Sequence, residues 1–251
     1  MAVEEVDAKT AGVASWVDKT TIGGYGELHY NNFEGEDNEL DLHRFVLFFG
    51  HEFTDSIRFF SEFGIEEDVD GADQNGEGEV EQAYIEVDLR ENMQAKGGVF
   101  LMPVGILNET HEPTTFYGVE RNTLEKEIIP ATWWETGAMF SQDVGAGVSY
   151  DIAGHSGLNL GGGSSIRSGR QKSAKADANK GAVTARVSYN GIAGLHVAST
   201  VQYQQDVNQD NPDLADTSAR LVEAHVKYAV AGVTLTAQNA RWDLDDKGLA
   251  G

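Results

Sequence analysis

The sequence predicts an all-β fold, an up-and-down antiparallel β-barrel that spans a membrane, with about eleven strands in its 251 residues. Three observations carry this expectation. Apolar and polar residues alternate with period two through most of the chain, as side chains pointing to opposite faces of a strand require. Short turns and long polar connections alternate strictly along the sequence. Many of the alternating runs are near the roughly 9–11 residues that a tilted strand needs to cross a bilayer.

The expected strands span 21–31, 40–53, 56–66, 80–89, 94–105, 132–140, 144–158, 182–190, 195–206, 218–228 and 233–243. In the third, Ile57, Phe59, Phe63 and Ile65 share one face, with Arg58, Phe60, Glu62 and Glu66 on the other. The eighth sets Val183, Ala185, Val187 and Tyr189 against Thr184, Arg186 and Ser188, and the tenth sets Val222, Ala224, Val226 and Tyr228 against Leu221, Glu223, His225 and Lys227. Tight hairpins are expected at Thr54–Asp55, Arg90–Asn92, Ser141–Asp143, Gly191–Gly194 and Ala229–Gly232. Between them lie long polar segments: 32–39, 67–79, 106–131, 161–180 and 207–217. Outer-membrane barrels put short turns on the periplasmic side and long loops outside, whereas a Greek-key sandwich has no reason to alternate this way. Aromatics fall where interfacial girdles belong, with Phe49, Phe53, Phe140, Tyr189 and Tyr228 near the short turns and Tyr30 and Tyr203 at the opposite ends. Residues 1–20 read as an N-terminal periplasmic segment preceding a barrel at 21–251, and the start has neither the basic nor the apolar region of a signal peptide.

Composition narrows the function. A formal charge of −23, from 18 Lys and Arg against 41 Asp and Glu, argues against a binder of nucleic acid, whose phosphates need basic side chains. The absence of cysteine excludes a disulfide scaffold and thiolate metal sites. No run approaches the roughly 18 apolar residues of a membrane helix. No phosphate-binding, nucleophile-elbow or HExxH motif is present, so no catalytic residue, no cofactor and no metal site is expected. The acidic stretch with Asp68, Asp70 and Glu79 fails as a calcium loop, because Ala72 stands where a ligand is needed and Asp73 where glycine is needed. His29, His43, His51 and His111 form no pair at helical metal-ligand spacing.

The stretches "GGYGELHYNNFEGEDNELDLHRFVLFFGHEF" and "FLMPVGILNETHEPTTFYGVERNTLEKEIIPATWWETGA" resemble bacterial outer-membrane porins of the phosphate-selective porin O and P family. The resemblance covers about residues 21–241 and is most specific at Pro103, Gly105, Asn108, Glu109, Glu120, Arg121, Asn122, Pro130 and Trp134. It implies a barrel of about sixteen strands, often trimeric, whose third long loop folds inward and narrows the pore. Counting connections independently makes 106–131 the third long loop. Eleven strands would then be a C-terminally truncated part of such a barrel, and the end "RWDLDDKGLAG" lacks the usual terminal aromatic.

The expected function is passive diffusion of ions and small hydrophilic solutes, without enzymatic activity, in the bacterial outer membrane. Its partners would be outer-membrane lipid, lipopolysaccharide and, by the resemblance, two further copies in a trimer. Candidate constriction residues are Glu109, Glu112, Glu120, Arg121, Glu125, Lys126 and Glu127; candidate lumen residues are Glu27, Arg44, Arg58, Glu62, Glu66, Glu86, Asp88 and Arg186. Carboxylate rings favour cations and basic rings favour anions. The acidic third loop therefore points to a general or mildly cation-preferring channel, whereas the family implies phosphate or other anions. Arg167, Arg170, Lys172, Lys175 and Lys180 form a basic patch expected to sit on a mobile outer loop with no assigned partner, contact with lipopolysaccharide phosphates being the alternative. The alternative is a soluble β-sandwich, either a carbohydrate-binding module or a β-rich glycoside hydrolase, using Trp133, Trp134 and nearby carboxylates. The two differ in where the apolar faces lie: buried under a second sheet, or outermost.

Overall fold

A computed structural model describes residues 16–35, 37–66 and 77–246. Among these residues there are eleven strands: β1 Thr20–Asn31, β2 Glu39–Thr54, β3 Ile57–Glu66, β4 Glu77–Arg90, β5 Met93–Leu101, β6 Trp134–Gly145, β7 Val148–His155, β8 Ala182–Tyr189, β9 Leu195–Gln204, β10 Thr217–Val230 and β11 Val233–Asp246. Strand order in the sheet follows chain order, so the chain is an antiparallel up-and-down meander. Among the described residues, helical geometry is confined to one turn at 16–18 before β1 and to short turns inside the long connections, at Pro113–Thr115, Leu124–Ile128 and Arg167–Gly169. The chain divides into two compact units at Val87 and Asp88.

In the first unit, bulges preserve the apolar face. Along β2 the exposed apolar residues switch from even numbers, Leu40 and Leu42, to odd numbers, Phe45 and Leu47. The switch falls where His43 has no partner on β1, between the pairs Glu27↔Arg44 and Leu28↔Leu42. One extra residue shifts the period by one, and the outward set stays outward. The same device appears on β4, where Glu81 is skipped between Glu62↔Gln82 and Phe63↔Val80. Val80 before the bulge and Ile85 and Leu89 after it are all exposed. Phe60, grouped in the sequence with charged residues, belongs to a row of aromatic contacts running Tyr25, Phe48, Phe60, Tyr84 with centroids 5.7–6.1 Å apart.

In the second unit the usual relation between polarity and burial is inverted. Val183, Val187, Val197, Val201, Tyr203 and Val222 are exposed, while Thr184, Thr200, Gln202, Gln204, Glu223 and His225 on the opposite face are buried. Among the described residues no second sheet covers the apolar side. Three long connections cover the polar side instead: L3 (residues 102–133), L4 (156–181) and L5 (205–216). Thr200 Oγ1 donates to Pro103 O of L3 at 3.1 Å, and Gln204 Nε2 donates to Leu158 O of L4 at 2.8 Å and to Asp206 O of L5 at 3.0 Å.

The largest departures from the expected strand boundaries fall at the end of β5 and at the β6–β7 hairpin. β5 ends at Leu101 rather than 105, because Pro103 has no N–H for the sheet and Gly105 takes φ +74 with Glu125 and Ile129 atoms where a Cβ would lie. The hairpin expected at Ser141–Asp143 lies at Ala146–Gly147. Ser141, Gln142 and Asp143 are paired strand residues opposite Asp151, Tyr150 and Ser149. Ala146 and Gly147 both have positive φ, 53° and 79°, the geometry of a primed two-residue turn. Ser141 and Gln142 are polar for a different reason: their side chains hydrogen-bond across the strand pair to Asp151 and Tyr150.

Candidate functional site

L3 is held at its neck by one buried amide. Asn108 Nδ2 donates to Met102 O and Trp133 O, both at 2.8 Å, and Asn108 Oδ1 accepts from Trp133 N at 2.7 Å. The three bonds join the two ends of the loop where it leaves β5 and enters β6. Inside the neck, Glu125 is fully buried. Its carboxylate accepts from Ile106 N and from Gln238 Nε2 of β11, both at 2.7 Å. Burial pushes the Glu125 carboxyl above the usual carboxylate range, and these donors offset only part of that rise. A second tie to β11 is Trp242 Nε1, which donates to Ile128 O at 2.7 Å.

The candidate constriction residues separate into distinct roles. Glu109 pairs with Arg186 of β8, and Arg186 also meets Asp151 of β7 at 2.8 Å. Glu120 and Lys126 form an exposed pair at 3.3 Å. Arg121 turns onto its own loop, donating to His111 O at 3.1 Å with its guanidinium 6.0 Å from the Phe116 ring centre. Glu112 is half-buried and Glu127 exposed. Glu125 faces away from solvent altogether. The geometry therefore brings together Glu109 and Arg186, assigned from sequence to different groups, and separates Glu125 from the exposed acids.

Among the lumen candidates, Glu27 and Arg44 sit on directly paired positions of β1 and β2 and bond at 2.9 Å. Arg58 and Glu86 do the same across β3 and β4 at 2.6 Å. Glu62 is buried and accepts from Gln82 Nε2 at 2.7 Å. Asp88 is half-buried on β4. The side chain of Glu66, like Asp68, Asp70 and the rest of 67–76, lies outside the described residues.

The basic patch of L4 is anchored rather than mobile. Arg167 Nη1 donates to Lys126 O at 2.9 Å and Ala131 O at 2.7 Å, and Arg170 Nη1 donates to Pro130 O at 3.1 Å and to Thr132 O. Two guanidiniums thus hold the carbonyls of the second half of L3. Lys172 lies 5.9 Å from the Trp134 ring centre and Lys180 pairs with Asp210 at 3.2 Å, leaving Lys175 as the exposed member of the set. L5 is pinned by Asp206, whose carboxylate accepts from the backbone N–H groups of Asn208, Asp210 and Thr217 at 2.8–2.9 Å. Burial opposes ionisation of Asp206, but those three donors outweigh it and hold its carboxyl below the usual range.

No protein-family model matches the chain. An uncharacterized protein of Aquifex aeolicus (strain VF5) is 48% identical over 120 residues, a stretch that spans 47% of this chain and 28% of that protein. Similar solved structures include OprB of Pseudomonas putida, with a TM-score of 0.49 at 12% identity covering 89% of this chain and 64% of that one. The outer membrane protein OmpT of Vibrio cholerae gives 0.46 at 12% identity over 93% and 80%, and the outer membrane channel DcaP of Acinetobacter baumannii gives 0.44 at 12% over 92% and 80%. At such scores the likeness decides nothing about function, which has to come from the chain's own side chains.

Those side chains disfavour a sugar-binding face at Trp133 and Trp134. Both rings are buried, Trp133 donating from Nε1 to Glu135 Oε1 at 2.9 Å and packing 6.2 Å from Trp242. Gln238 and Trp242 carry no signal in the linear chain, and Arg167 and Arg170 stand out there only as part of a basic patch; all four matter because L3 and L4 fold over the same polar face. Asn108 was marked only by the family resemblance.

Proposed function

We propose that the chain forms the wall and constriction of a passive, non-enzymatic diffusion pore in a bacterial outer membrane. The observation that carries this is the inverted sheet: apolar residues exposed on one face, charged and amide residues buried on the other beneath three folded-in connections. Lipid satisfies the first face and a watery lumen the second. L3, with 106–131 as its narrowing segment, is the constriction in this reading. Its docking onto the polar side chains of β8, β9 and β11 supports that role.

Selectivity follows from which charges remain at the surface of L3. Arg121 is turned onto loop carbonyls, Lys126 is paired with Glu120, and Arg186 is shared by two carboxylates, whereas Glu127 is exposed. Carboxylates facing solute favour cations, so the pore is mildly cation-preferring rather than phosphate-selective. Assembly as a homotrimer and contact with lipopolysaccharide belong to the same proposal through the family resemblance. Planar-bilayer recording of detergent-refolded protein in a salt gradient tests it. Stepwise conductance with a reversal potential of cation-selective sign is expected. A protein that stays monomeric without detergent and never conducts would overturn the pore, and an anion-selective sign would overturn only the charge assignment.

A further inference from the structure

Two histidines on the polar face of the second unit meet in a way that neither the pore nor the docking of L3 requires. His196 of β9 and His225 of β10 sit on diagonal positions of adjacent strands, Lys227 being opposite His196 and Ala198 opposite His225. Their Nε2 atoms are 3.1 Å apart. Each ring uses its other nitrogen on an acceptor: His225 Nδ1 on Glu223 Oε1 at 2.8 Å and His196 Nδ1 on Asn190 Oδ1 at 2.7 Å. The contact is a hydrogen bond when one ring carries its proton at Nε2. When both rings donate from Nδ1, two Nε2 lone pairs share the same small space and a metal cation takes the place of that proton.

We propose that His196 and His225 are the two protein ligands of a divalent transition-metal site, with Glu223 and Asn190 as the groups that orient them. A carboxylate or amide oxygen accepting the second ring N–H is the usual support of a metal-binding histidine, fixing its tautomer and raising its basicity. Nitrogens 3.1 Å apart, each at a metal distance of roughly 2.0–2.1 Å, subtend about 100° at the ion, between the roughly 90° of a tetragonal Cu²⁺ or Ni²⁺ centre and the roughly 109° of a tetrahedral one. The ring centroids, 5.1 Å apart with planes tilted by 31°, are closer than rings laid end to end would be, which also suits neighbouring ligands.

A second observation points the same way. Glu223 is fully buried, and no donor among the described residues reaches its Oε2, while Oε1 serves His225 and Gln238. A buried carboxylate calls for a nearby positive charge, and an ion on the far side of His225 supplies one through the ring. His196 is half-buried, which leaves a way in for the ion, and the remaining coordination positions fall to water. Of the other candidate groups, Glu62, Glu81 and His111 offer one imidazole and Asp206, Asp210 and Asp216 none, and the group of His29, Asp41 and His43 fits less well. Its imidazoles stack face to face at 4.4 Å and 15°, so their in-plane lone pairs run parallel instead of converging.

The test is titration of detergent-folded protein with Cu²⁺ alone, followed by calorimetry and by electron paramagnetic resonance. The protein carries His29→Ala and His43→Ala so that the stacked pair contributes nothing. One ion per chain with splitting from two equivalent nitrogens is expected. His196→Ala, at the more exposed position, should weaken binding at least tenfold, and Glu223→Gln should weaken it by about tenfold to a hundredfold while circular dichroism shows the sheet intact. Unchanged binding in His196→Ala, or no stoichiometric binding at all with nitrogen NMR showing only a proton shared between the two rings, would overturn the proposal.

Discussion

At the scale of single residues, Asn108 and Glu125 decide how L3 is held. Asn108→Ala removes three buried hydrogen bonds and strands Trp133 N, while Met102 O and Trp133 O keep their backbone donors Val104 N and Met102 N. The expected loss is about 2–4 kcal/mol, read as a lower melting temperature and as new proteolytic cleavage within 106–131. Glu125 makes the docking of L3 depend on pH. Its folded pKa lies above the free value of about 4.3, so docking is favoured below that value and weakens as pH rises through the raised folded value. Hydrogen exchange of the Ile106 amide should therefore quicken with pH by more than the intrinsic rate, and Glu125→Gln should flatten the excess. Asp206 works in the opposite sense. Its folded pKa is depressed, so its hold on L5 is complete above about pH 3.9 and is lost as pH falls through the lower folded value. Arg186→Ala leaves Glu109 and Asp151 without their shared cation, and the reversal potential should move further toward cation selectivity.

At the scale of elements, the bulges matter more than the residues that form them. His43 is the extra residue that lets Leu40 and Leu42 share a face with Phe45 and Leu47. Substituting His43 by alanine keeps that register, whereas deleting it turns either the first or the second half of the apolar set inward. Refolding yield in detergent should stay near that of the parent protein for His43→Ala and collapse for the deletion. The alternation of long and short connections was legible because turn residues and polar length are local properties. The hairpin at Ala146–Gly147 was misplaced by a few residues for an equally local reason: Ser141–Asp143 look like a turn until their partners on β7 are known.

For the molecule as a whole, the sequence by itself determined the strand count, the meander and which residues face outward, because period-two alternation and turn chemistry are written within each strand and its neighbours. It also placed Glu223 and His225 on the inward face of β10. Only the tertiary structure decided what those inward residues meet. β9 and β10 are joined by the long L5, so no tight turn sets their register, and the approach of His196 to His225 depends on a pairing that 12 intervening residues leave open. The same holds for L3 and L4. Arg167 and Arg170 could read as a basic patch for lipopolysaccharide until the fold put the carbonyls of residues 126–132 in front of them. Local pattern specifies faces. Contacts between segments far apart in sequence are specified by how three long connections share one polar surface, and that is a property of the packed chain.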